Sequence, residues 1–123
     1  YSPSPSGTDS NLVLFFHGLG DSSKPFLQLG QNLQRTLPQT SILSLRALKR
    51  VPFLDPSEDA WMWWDSFDSL GEAIRNPNPT LALHAISHLL DYLISPIDEG
   101  GCGWPSDSIH LFGFGQGGSA ALE

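Results

Sequence analysis

Cysteine is almost missing from this chain: there is one, Cys102, in a glycine-rich stretch. A lone thiol excludes an intrachain disulfide framework and permits a reducing compartment. It therefore reads as a spare thiol in a cytoplasmic protein. Basic residues are scarce too, six against thirteen acidic, for a formal net charge of -7. A surface of that sign repels phosphate backbones and anionic membranes, which argues against a nucleic-acid partner. No apolar run approaches the roughly 20 residues of a membrane-spanning helix. Nor does the start of the chain carry the basic, apolar and small-residue succession of a signal peptide. What is present is ordinary for a globular protein: 123 residues, 40% hydrophobic and 15% charged, enough for one small domain with a real core.

Tyr1 to Asn11 is polar and rich in serine and proline, and residues 1–11 read as a flexible N-terminal arm. Residues 12–123 read as part of a single domain. Leu12 to Phe16 is an unbroken apolar run entering His17-Gly18-Leu19-Gly20-Asp21. That pattern suits a central parallel strand, buried on both faces, that feeds a glycine turn. Ser22 and Ser23 are candidate caps, Pro25 fits a first helical turn, and Phe26, Leu29, Leu33 and Leu37 recur at helical spacing until Pro38. Thr40 to Leu45 is a second, shorter strand.

Arg46 to Pro79 is long for a connection, framed by prolines, with Trp61-Met62-Trp63-Trp64-Asp65 at its middle. Such loops often cover a site. Helical spacing returns from Thr80 to Pro96, where Ala82, Ile86, Leu89, Leu90, Leu93 and Ile97 make an apolar stripe opposite His84, His88, Asp91 and Ser95. A loop from Asp98 to Asp107 then leads to a third strand. This order predicts an α/β fold with a parallel sheet and flanking helices. Because Glu123 falls barely one turn into the last helix, the chain is expected to be the N-terminal portion of a domain whose C-terminal part is missing.

The third strand runs into Gly113-Phe114-Gly115-Gln116-Gly117-Gly118. Two motifs share this outline of strand, tight turn and helix. Gly113, Gly115 and Gly118 satisfy the dinucleotide fingerprint G-x-G-x-x-G, but that fingerprint normally opens its domain on the first strand, with an acidic residue about 20 positions on. The other motif is the nucleophile elbow Gly-x-Ser-x-Gly, with Gly115 at the serine position. An elbow demands a second feature, a backbone N–H on the loop after an earlier central strand, to share the developing oxyanion with the N–H following the nucleophile. His17-Gly18-Leu19-Gly20 stands on such a loop, making the amides of Leu19 and Gln116 the candidate donors. The elbow is the better-supported reading.

Together with Trp63-Trp64-Asp65 and Gly103-Trp104-Pro105-Ser106, Phe16 to Asp21 and Gly113 to Gly118 make the chain resemble the acyl-protein thioesterase, carboxylesterase and phospholipase family of α/β-hydrolases. The resemblance covers most of the chain from Leu12 onward. It implies the α/β-hydrolase fold and hydrolysis of carboxylic esters and thioesters, on small molecules or acylated proteins, by a Ser-Asp-His triad with no cofactor and no metal. Two departures follow. The nucleophile position is Gly115, and the triad acid and histidine come after the elbow in this fold, in sequence this chain does not contain. Hydrolysis is therefore expected to be absent or nearly so, and the alternative is a non-catalytic domain that binds an acyl group or a protein.

The remaining candidates have plainer readings. His17, although next to the site, reads as a residue shaping the loop with Gly18, because the catalytic base comes late in this fold. Ser119 lies a helical turn past the elbow and reads as a small helix residue. His84 and His88 have the spacing of a zinc pair but read as the polar side of a helix. Arg46, Lys49 and Arg50 read as a solvated loop. Trp64 is a candidate substrate contact, since the resemblance places its region near the acyl channel. The strand over 109–114 is expected to leave an open edge that pairs with a second copy or a partner chain.

Overall fold

The computed structural model describes residues 1–123. Its elements run β1 (Asn11–Phe16), α1 (Ser23–Leu33), β2 (Thr40–Leu45), β3 (Lys49–Arg50), β4 (Trp61–Met62), α2 (Thr80–Ile94), β5 (Ile109–Gly113) and α3 (Gln116–Leu122). The sheet has the order β2-β1-β5, with β1 parallel to both neighbours. Leu12, Leu14, Phe15 and Phe16 of β1 are all buried, as expected for a strand covered on both faces.

Register assigns the faces. Val13 lies opposite Ile42 and His110, and Phe15 opposite Phe112, whose ring is 5.0 Å away. These side chains point toward α1. Leu12, Leu14 and Phe16 point the other way and form the main core with Ala47, Trp63, Ala82, Ile86 and Leu93, joined by Ala120 of α3. The result is an α/β sheet with helices on both faces, which is the class the element order predicted.

Three local expectations needed correction. The stripe predicted for α1 is turned: Leu29, Leu33 and Leu37 are 46%, 36% and 48% exposed. The sheet is met instead by Gly30 and Gln34, both buried. A Cβ on Gly30 would lie 2.5 Å from Ile42 Cγ2 and 3.2 Å from Phe15 Cε2, so only glycine lets the helix approach this closely. On α2 the apolar stripe holds as far as Leu93, but the helix ends at Ile94 and the chain turns at Pro96, which leaves Ile97 exposed.

The third correction concerns the N-terminal residues. Ser2 and Ile42 exchange backbone hydrogen bonds of 2.8 Å in each direction, and the Ser6 and Ser10 amides donate to Pro38 and Gln39. The two hydrogens of Gln34 Nε2 are shared among the carbonyls of Ser2, Pro3 and Thr40 at 3.2, 3.0 and 2.8 Å. Polar composition reads as an arm, yet these polar groups bind residues 1–11 to the outer edge of β2.

The connection from Arg46 to Pro79 is likewise partly ordered, because β3 and β4 pair antiparallel, Lys49 with Met62 and Arg50 with Trp61.

The opposite edge of the sheet is different. β5 has β1 on one side and no strand on the other, and its Leu111 and Phe112 are exposed. Unpaired edge groups of this kind template further pairing. We propose that a strand from a second copy or from another polypeptide segment completes this edge. In the whole protein, the β5 amides that face away from β1 are then protected from hydrogen exchange; exchange at unprotected rates would contradict the pairing.

Candidate active site

The elbow is built from close backbone contacts. After β5 the Phe114 amide still donates to Phe16 O at 3.1 Å, and Gly115 then turns with φ 53° and ψ -124°. α3 starts at once, with the Ser119 amide donating to Gly115 O at 3.1 Å. A Cβ on Gly117 would lie 2.3 Å from the carbonyl oxygens of both Phe16 and His17, and one on Gly113 would lie 2.5 Å from Gly118 Cα. Glycines on either side of the turn residue thus let α3 cross the ends of β1 and β5. Position 115 is unlike them. A Cβ there would meet only Gly18 Cα, at an ordinary 3.7 Å. The positive φ is the only obstacle to a side chain, and residues held in strained turns of this kind cluster at active sites.

His17 enters from β1 fully buried. The Ala47 amide donates to its Nε2 at 3.0 Å, so Nε2 is the acceptor and the proton sits on Nδ1, which donates to Gly18 O at 2.7 Å. Both ring nitrogens are occupied within the fold. His17 therefore shapes the loop, which continues through Gly20 at φ 83° and closes with the Asp21 amide on Gly18 O. Gly18 faces the elbow, since a Cβ on it would be 3.2 Å from the Phe114 ring. The Leu19 and Gln116 amides donate to no protein acceptor. Gly115 beside them is exposed, as is Ser119 one turn further on.

Comparison with known proteins bears on the family and the fold. The profile of the family described as Phospholipase/Carboxylesterase matches residues 3–123. The chain belongs to that family.

Among curated relatives, it is 52% identical over 123 residues to an uncharacterized hydrolase of Mycosarcoma maydis and 39% identical over 116 residues to one of Schizosaccharomyces pombe. These matches cover 100% and 91% of this chain but 44% of each relative, so the chain spans about half their length. The crystal structure of esterase PE8 matches with a TM-score of 0.66 at 24% identity, over 98% of this chain and 53% of that one, which shows the α/β-hydrolase fold.

Within the chain the tryptophans separate. Trp63 is buried, its ring 5.3 Å from Phe16 and 5.5 Å from His17. Its Nε1 donates to His17 O at 2.9 Å, and its amide donates to Gln116 Oε1 at 2.7 Å. Trp61 is half-buried beneath the guanidinium groups of Arg46 and Arg50, 4.2 and 5.3 Å from its ring centroid. Trp64 lines a cavity of about 310 Å³ with Leu48, Lys49, Asn78, Leu81 and Ala82; Leu19, Gly115 and Gln116 are not among its walls. Lys49 pairs with Asp65. His84, His88 and Asp91 lie on the exposed face of α2.

Trp63 and Ser66, whose hydroxyl accepts from Gln116 Nε2 at 2.7 Å, are contacts that no motif spacing announced.

Replacing His17 by leucine removes both ring partners and strands the buried Ala47 amide. The expected loss of folding stability is about 1–3 kcal/mol. His84→Leu, on the exposed face of α2, is expected to stay within about 0.5 kcal/mol. Denaturant midpoints of the two variants compare them directly, and equal losses would contradict the role given to His17.

Proposed function

We propose that this chain carries the carbonyl-binding half of a carboxylic ester or thioester hydrolase domain of the acyl-protein thioesterase and carboxylesterase type, with its covalent route closed at Gly115. The supporting observation is the combination at the elbow: strained backbone, open space at Cβ, and two unengaged amides on the flanking loop and helix. In the serine route a hydroxyl attacks the acyl carbonyl, backbone donors stabilise the oxyanion, and water releases the acyl-enzyme. The Leu19 and Gln116 amides fill the donor role in this reading. Gly115 has no oxygen to attack with, so what remains is binding of the carbonyl and slight direct attack by water.

The ligand class is an acyl ester or thioester, free or on a protein. The setting is the cytoplasm, where a lone thiol such as Cys102 stays reduced. A second reading is favoured by the glycine itself: a domain that keeps the seat for an acyl group or a protein partner without turning it over.

Hydrolysis of a short-chain and a long-chain acyl thioester by the whole protein, as Gly115 and as Gly115→Ser, separates the two. The hydrolase scaffold predicts turnover by the serine form and a rate lower by at least about three orders of magnitude in the glycine form. Inactivity of both forms would leave the binding domain as the better account.

A further inference from the structure

The candidate oxyanion donors lie on separate elements, Leu19 on the loop after β1 and Gln116 at the start of α3. The elbow turn fixes only the second of them. One short segment, Trp61–Ser66, is hydrogen-bonded to both sides. Toward the loop, the Gly20 amide donates to Trp61 O at 2.8 Å and the Trp61 amide donates to Asp21 O at 3.0 Å, while Trp63 Nε1 donates to His17 O at 2.9 Å. These bonds hold the chain on both sides of Leu19. Toward α3, the Trp63 amide donates to Gln116 Oε1 and Gln116 Nε2 donates to Ser66 Oγ, both at 2.7 Å. Ser66 passes its own hydrogen to Trp64 O at 2.9 Å.

The chain of donors has one direction, and it fixes the orientation of the Gln116 carboxamide: the oxygen must face the Trp63 N–H and the nitrogen must face Ser66. Gln116 therefore has two functions in one residue. Its backbone N–H is free beside Gly115, and its side chain is tied at both ends to the segment that also ties the Leu19 loop. The burial of Trp63 between Phe16 and His17 makes the tie stiff, because that ring has no room to reorient.

We infer that Trp61–Ser66 is a clamp that sets the relative placement of the Leu19 and Gln116 amides, with Trp63, Ser66 and the Gln116 side chain as positioning residues. This rests on the hydrolase reading for its functional meaning, but the mechanical coupling stands on the hydrogen bonds alone. Oxyanion donors act only when held at the position the charge will occupy, and small misplacements have large effects on rate.

The test uses the whole protein in two arms. In the Gly115→Ser background, Gln116→Met and Ser66→Ala are expected to lower kcat for an acyl thioester by about 10- to 100-fold while KM stays within about threefold. Gln116→Glu, which keeps an oxygen for the Trp63 amide but loses the N–H that Ser66 accepts, is expected to be impaired at least as much as Ser66→Ala. In the Gly115 protein, hydrogen exchange is measured residue by residue. Gln116→Met is expected to speed exchange of the Gly20 amide, on the far side of the clamp, at least about tenfold relative to β1 amides, since local opening has its own free energy.

Unchanged kcat in an active serine form would overturn the clamp, and so would Gly20 exchange that moves only in step with β1. If Gly115→Ser is inactive, the hydrolase reading fails by itself and the exchange arm alone decides the clamp.

Discussion

The structure depends on one close crossing. The first turn of α3 runs over the carbonyl ends of β1 and β5 at a distance that admits no Cβ at Gly113 or Gly117. That contact puts the start of a helix against the loop leaving the central strand, so the Leu19 loop and the Gln116 amide share one rim of the sheet. Binding sites in parallel α/β sheets form at this rim, outside the carboxyl ends of the strands. Loosening the crossing would leave the two amides on unrelated parts of the surface.

Gly115 is held by a different logic from its neighbours. Gly113 and Gly117 are demanded by packing, whereas the space beside Gly115 is free and only its backbone angles favour glycine. A nucleophile elbow that places serine in such a turn tolerates the strain for the sake of its oxygen. Glycine relieves the strain and keeps the turn. In the proposed hydrolase reading the site keeps the turn without an oxygen at position 115, and Trp63 is hydrogen-bonded to it through Gln116 and His17.

Periodicity made much of the fold legible. The apolar run of β1, the helix over Thr80–Ile94 and the glycine turns at Gly18–Gly20 and Gly113–Gly117 carry patterns that admit few alternatives, and the family followed from their order. The face of α1 was hidden because its contact with the sheet is made by Gly30 and Gln34, one without a side chain and one polar, while exposed leucines supplied the helical spacing. The docking of residues 1–11 was hidden for a related reason, since it rests on hydrogen bonds and not on apolar burial. At the site, the motifs named the Leu19 and Gln116 amides as candidate donors, and the structure leaves both without a protein acceptor. The Gln116 side chain, Trp63 and Ser66 could not be named in this way, because they meet across about 50 residues and no local spacing encodes such a contact.

The central claim is that the Leu19 and Gln116 amides form one seat for an acyl carbonyl oxygen. Amide NMR of the whole protein during titration with a methyl-ketone analogue of an acyl thioester tests it most directly, because the analogue presents the carbonyl without being hydrolysed. The account predicts that the Leu19 and Gln116 resonances move together and saturate at the same concentration. Saturable binding that leaves both resonances in place would contradict it.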